Sequence, residues 1–121
     1  MKRIDGAALP NGIDRSLQHG EEIRVVATPK YATPRPGQHW NASLVLTSHR
    51  LIVSKERLFG KAKIDYDVPW SLVEGVEGQL WKGGGPDIQL IVRTTQGALE
   101  LIVPPLHAVE VESAIRDGYI G

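Results

Sequence analysis

Residues 40–76 contain three segments in which apolar and polar side chains alternate, and this alternation limits the possible folds more than any other feature. Successive side chains of a strand point to opposite faces, so a period of two predicts strands. In the first segment one face is apolar and carries Trp40, Ala42, Leu44 and Leu46. The other face is polar and carries Asn41, Ser43 and Thr47. One buried face and one solvated face are typical of antiparallel sheet.

The same period recurs along the chain and predicts seven strands. Turn-forming residues separate them: prolines within residues 29–37, three consecutive glycines at 83–85, and Gly97 in a short hairpin connection. The predicted strands cover residues 22–28, 40–47, 50–54, 62–69, 73–80, 88–94 and 98–103.

The last element is predicted to be a helix. Pro104 and Pro105 do not fit a central strand, whereas the first turn of a helix tolerates proline. Four apolar residues then recur at helical spacing: Ala108, Val111, Ala114 and Ile115. The predicted end of the helix is Gly118. The order predicts a mainly β fold: a bent, antiparallel, seven-stranded barrel capped by a C-terminal helix. A short helical turn is also predicted over residues 14–18.

Composition favours one compact unit. The 121 residues suffice for one core, here assigned to residues 20–121, with residues 1–19 as an arm or short cap. The absence of cysteine excludes a disulfide framework and a thiol nucleophile. Fourteen basic and fourteen acidic residues give zero net charge, which argues against a nucleic-acid partner. The first residues lack a signal-peptide pattern, so a cytoplasmic protein is expected.

Three motifs resemble the pleckstrin-homology superfold, and within it the bacterial PH-like and GRAM-like domains. They are Gly20-Glu21-Glu22-Ile23, the corner Leu-Val-Leu-Thr-Ser-His-Arg-Leu-Ile at 44–52, and Val-Pro-Trp-Ser-Leu-Val-Glu-Gly-Val at 68–76. The resemblance spans residues 20–118. It implies the fold and roles in binding lipids or proteins, in scaffolding and in self-assembly, and it does not imply one particular ligand.

Two places at the predicted barrel rim are candidate contacts. Thr47 and Ser48 are suited to hydrogen-bond nearby backbone in a turn, and Arg50 to pair with a carboxylate or with rim carbonyls. A ligand role for Arg50 is the alternative. Trp81, beside the glycine-rich loop, is either a recognition side chain or a clamp on the rim.

The basic loop between the third and fourth predicted strands is a candidate membrane or partner surface. It carries apolar side chains at its tip, Leu58 and Phe59, and cations on both sides, Lys55, Arg57, Lys61 and Lys63. The resemblance implies that such a loop contacts anionic lipid. Each cation near such a surface contributes about 1 kcal/mol, which supports only weak contact. The alternative is that the tip residues pack back onto the barrel.

No catalytic, cofactor or metal site is predicted. The histidines lack metal-ligand spacing, and a Ser48, His49 and Asp65 combination lacks a nucleophile elbow. The sequence therefore favours a non-catalytic binding or scaffolding module in a bacterial cytosol, recognising a protein partner or a second copy of itself. Weak contact with anionic membrane at its inner face ranks second, and a small enzyme with an unrecognised polar site is the alternative class. Strand 73–80 is expected to leave an open edge, partly blunted by Glu74 and Glu77.

Overall fold

The computed structural model describes residues 1–33, 42–55 and 63–121. These residues form nine strands and one α-helix. The elements are β1 Lys2–Arg3, β2 Ile23–Ala27, β3 Tyr31–Thr33, β4 Ala42–Thr47, β5 Arg50–Lys55, β6 Lys63–Pro69, β7 Val73–Leu80, β8 Ile88–Thr94, β9 Gly97–Val103 and α1 Pro105–Ile120. Short 3₁₀ turns lie at Ile4–Gly6, Ile13–Ser16 and Trp70–Leu72. The seven predicted strands and the helix are present; β1 and β3 are additional.

The strands form two sheets. The first has the order β1-β2-β4-β5-β6 and the second β3-β9-β8-β7. Neighbouring strands are antiparallel, except that β1 runs parallel to β2. The chain passes from the first sheet to the second between β2 and β3, where buried Pro29 lacks the N–H that a continuous ladder needs. The prediction of a closed barrel is corrected: among the described strands the two sheets are not joined, because the chain leaves β6 through the Trp70–Leu72 turn before β7 begins.

The solvated face predicted for the first sheet is partly wrong. Every residue of β4 is buried, including those that point away from the main core. On that outer face Val45 and Ile52 pack with Ile13, and all three have 0% exposure. Ile13 belongs to the segment that precedes β2, so residues before the predicted domain cover the sheet from outside. Polar neighbours in β4 concealed this second apolar cluster from a reading of the alternation.

Helix α1 packs across the space between the sheets. Ala108, Val111 and Ile115 are its buried side chains, as their spacing predicts. The predicted end at Gly118 is wrong, because the helix continues to Ile120. A Cβ atom at Gly118 would lie 2.4 Å from ring atoms of Trp70. Gly118 therefore allows a close approach of helix and indole.

Replacing Gly118 with alanine is expected to destabilise the fold by about 1–3 kcal/mol through overpacking. This loss exceeds the gain of about 1 kcal/mol that alanine brings to a helix interior. The indole cannot easily move, because its N–H donates to the carbonyl of Thr47 at 2.8 Å. Urea unfolding measures the effect, and the matched background is Trp70→Leu, in which Gly118→Ala should become neutral or stabilising. A stabilising effect of Gly118→Ala in the wild type would contradict the close approach.

Candidate functional site

Arg50 lies at the centre of an ion-pair cluster at the corner between β4 and β5. Its Nε donates to Glu21 Oε2 at 3.0 Å, its Nη1 to Asp67 Oδ2 at 2.8 Å, and its Nη2 to the carbonyl of Ser16 at 2.9 Å. The Glu21 side chain has 0% exposure and that of Arg50 has 11%. Arg50 thus pairs with carboxylates and with a carbonyl, and all three of its nitrogens are occupied within the chain.

Thr47 and Ser48 tie the same corner to the start of β2. The Thr47 hydroxyl donates to Glu21 Oε2 at 2.5 Å and accepts from the backbone N–H groups of His49 and Arg50, each at 3.0 Å. The Ser48 hydroxyl accepts from the backbone N–H of Glu22 at 3.0 Å. These bonds hold the hairpin turn and fix β2 beside β4. The predicted hydrogen bonds from the Thr47 and Ser48 side chains to nearby backbone are therefore present.

The charges in this cluster stabilise each other. Burial by itself raises the pKa of the Glu21 carboxyl, but hydrogen bonds from Arg50, Thr47 and the backbone of Gln18 outweigh it and leave the pKa below its ordinary value. The hydrogen bond to Glu21 raises the pKa of Arg50. Sequence reasoning anticipated a carboxylate partner but did not identify Glu21 or Asp67, because both are distant from Arg50 in the chain.

The basic loop falls mostly outside the described residues. Arg57, Leu58, Phe59 and Lys61 belong to the part of the chain that is not described. Lys55 ends β5 and Lys63 begins β6, and the two residues are paired across the ladder. The lipid-contact hypothesis for this loop therefore rests on sequence alone.

Trp81 folds over the glycine-rich loop that follows β7. A Cβ atom at Gly83 would lie 2.4 Å from its indole, and its ring centroid is 5.8 Å from that of Tyr31. Its backbone N–H donates to the carbonyl of buried Asp87 at 3.0 Å, and the Asp87 carboxylate pairs with Lys30 at 3.0 Å. The indole thus packs between the start of β3 and the loop, and a recognition role for it stays a prediction.

No described strand pairs with the outer edge of β7, and α1 packs against this strand. β7 pairs with β8 on one side, and it is the last strand in the order of the second sheet. Residues 78–80 are exposed, and the Leu80 side chain reaches 72% exposure. Glu77 forms an ion pair with Arg93 of β8, so its charge is compensated on the paired side.

The structure does not bring Ser48, His49 and Asp65 together. Asp65 lies beside Ser54 and Val53, whereas the Ser48–His49 turn lies next to Pro69, four residues further along β6 and thus about 13 Å away. No group of three or more His, Cys, Asp or Glu side chains is placed to hold a metal in residues 1–33, 42–55 and 63–121. Over the same residues, no helix has the length and apolarity needed to cross a bilayer.

Comparison with known proteins finds similarity in structure alone. No protein-family model matches the chain, and no curated protein matches it. The C-terminal domain of an unknown protein from Leishmania infantum is 13% identical, with a TM-score of 0.63 over 91% of this chain and 92% of that chain. A DUF1696 family protein with a pleckstrin-homology domain, from Shewanella loihica PV-4, is 13% identical, with a TM-score of 0.60 over 88% of this chain and 86% of that chain. The fold is pleckstrin-homology-like.

Proposed function

We propose that this chain is a non-catalytic binding or scaffolding module that takes a protein strand, from a partner or from a second copy, along the edge of β7. The observation that carries the proposal is that no described strand pairs with the outer edge of this eight-residue strand. The finer assignment to bacterial GRAM-like domains in the cytosol belongs to the same proposal and rests on the sequence motifs.

The edge has the chemistry needed for strand addition. An unpaired strand presents a row of N–H and C=O groups, which bind an extended segment through main-chain hydrogen bonds. Leu80 supplies an exposed apolar side chain at one end. The two acidic residues that oppose such pairing are unequal, since Glu77 is neutralised by Arg93 while Glu74 is exposed and forms no ion pair among the described residues.

The location of the residues with shifted pKa values favours a binding module over an enzyme. Active sites concentrate titratable groups with shifted pKa values in a cleft. Here the hydrogen-bonded ion pair of Glu21 and Arg50 lowers the pKa of Glu21 against the effect of burial and raises that of Arg50. The pair belongs to a cluster that holds a hairpin turn. Their hydrogen bonds are used for folding, which leaves the edge strand as the more accessible feature for recognition.

Leu80→Lys is expected to abolish strand addition while leaving the melting temperature unchanged, because the side chain is already exposed and a lysine on an edge opposes pairing. Light scattering over a concentration series measures self-association, which should be modest in the wild type and absent in the variant. Leu106→Lys is the matched control, since Leu106 is 88% exposed on α1, away from the edge.

A wild type that stays strictly monomeric at high concentration would reject self-association and leave a different protein as the partner. Affinity capture with wild type and Leu80→Lys then compares the two: a protein retained equally by both would contradict the edge proposal. Vesicles of anionic lipid form a separate arm. Co-sedimentation abolished by joint Leu58→Ser and Phe59→Ser substitutions would assign membrane contact to the basic loop instead.

A further inference from the structure

A groove of about 450 Å³ runs between α1 and the first sheet. Its floor is apolar and includes Val25, Leu46, Trp70 and Ala114. Binding sites for small ligands usually have volumes of about 300–1,000 Å³, with an apolar lining and a few placed polar groups. The groove has the size and lining of such a site, and it lies apart from the Leu80 end of β7.

A β-bulge places a cation in this groove. The pairing register of β2 with β4 shifts between Ile23 and Val25, so Arg24 is the extra residue. Neighbouring side chains of a regular strand point to opposite faces, but a bulge redirects one of them. As a result both Arg24 and Val25 line the groove.

Opposite charges line the two walls. Lys2 from β1 and Glu110 from α1 form an ion pair at 3.1 Å, so these two charges satisfy each other. Arg24 on the sheet and Asp117 on the helix also line the groove, and neither makes an ion pair with the described residues. The groove therefore offers one uncompensated positive group and one uncompensated negative group beside an apolar floor.

The adjoining edge of β2 is only partly occupied. β1 covers it at Val25 and Val26, and along the described chain no strand pairs with Ile23 or Arg24 on that side. In the parallel register of β1, Met1 comes next to Arg24, so the main-chain groups that remain open to an extended segment are those of Ile23.

We propose that this groove binds a short extended peptide that carries an acidic residue for Arg24, an apolar side chain for the Trp70 and Leu46 floor, and a basic residue for Asp117. The proposal goes beyond strand addition at β7, because it uses a different strand edge and requires side-chain recognition. The two sites are separable by mutation: Leu80 contributes to one, and Arg24 with Ser113 to the other.

A phage-displayed library of random eight-residue peptides tests the site, with full-length chain as the target. Peptides selected on the wild type should carry an acidic, an apolar and a basic residue. Their affinity should fall at least tenfold in Ser113→Trp, which fills the groove from an exposed position on α1. Leu106→Trp on the same helix is the control and should bind as the wild type does. Selection on Arg24→Glu should replace the acidic residue by a basic one.

Hydrogen exchange gives an independent readout of the strand edge. Binding of a selected peptide should slow amide exchange within residues 23–25, and Leu80→Lys should bind the same peptide unchanged. The proposal is overturned if no peptide is enriched, if Ser113→Trp binds as tightly as Leu106→Trp, or if the charge preference does not reverse in Arg24→Glu.

Discussion

Arg50→Met is expected to destabilise the fold by about 3–5 kcal/mol, the typical consequence of removing one partner from a buried ion pair. The Glu21 carboxylate has 0% exposure, so it would stay charged and buried without its cation. Chemical denaturation at neutral pH measures the loss. Arg93→Met is the matched control: Arg93 also pairs with a glutamate, but its side chain is 60% exposed and its loss should leave the free energy of unfolding near that of the wild type.

The pH dependence of this loss identifies its cause. The folded-state pKa of Glu21 lies below its ordinary value of 4.5, so the stability it contributes is complete above that value and is lost as the pH falls through the folded pKa. Without the Arg50 hydrogen bond, burial is expected to raise the pKa of Glu21. Protonation would then remove the buried, unpaired charge and reduce the loss of stability in the variant. The stability difference between wild type and Arg50→Met should therefore shrink as the pH is lowered from neutral toward the ordinary range of a carboxyl group.

A third variant separates charge from packing. Adding Glu21→Gln to Arg50→Met removes the unpaired charge and should recover part of the lost stability at neutral pH. A stability difference between wild type and Arg50→Met that stays constant with pH, together with no recovery by Glu21→Gln, would show that the loss comes from packing alone.

Val111→Asp is expected to cost at least about 3 kcal/mol, because it places a carboxylate in the apolar contact where helix and sheets meet. Val111 is 2% exposed and lines a small cavity of about 50 Å³ with Leu44 and Val103. A net stability of about 5–15 kcal/mol is typical of a domain, so thermal unfolding should shift far down or lose its cooperativity. Val109→Asp on the same helix is the control, since Val109 is 72% exposed. Melting of Val111→Asp within a degree of the wild type would refute the docking of α1.

The period of two was sufficient to predict the seven long strands, because each has enough residues to display it. It did not identify β3, whose three residues are too few to show a period, or β1, which has two. It also predicted a solvated outer face on β4 that Ile13 covers from a remote part of the chain. The sequence predicts a helix end at Gly118 because glycine often follows the last turn of a helix. Glycine also permits a close approach, and only the distance to Trp70 shows that this is its role here.

The candidate sites could be predicted from the sequence less well than the fold. Arg50 stood out within a corner motif, but its partners come from residues that only folding brings near. Arg24 and Asp117 belong to no motif, and their common groove exists because a bulge turns one side chain and a helix crosses above it. The alternation around residue 24 carries no mark of that bulge. Such sites follow from the relative placement of elements, which local patterns do not encode.

The passage of the chain from the first sheet to the second, between β2 and β3, affects the rate of folding. The β4–β5 and β8–β9 hairpins join residues close in sequence, and hairpins form within about 1–10 μs. β3 must instead pair with β9, which brings Tyr31 to Ile102, 71 residues further along the chain. Closing so long a segment loses chain entropy before any contact is gained, and folds dominated by such pairings complete folding in milliseconds to seconds. Protection of the β3 amides is thus expected to appear last during refolding, after both hairpins have formed.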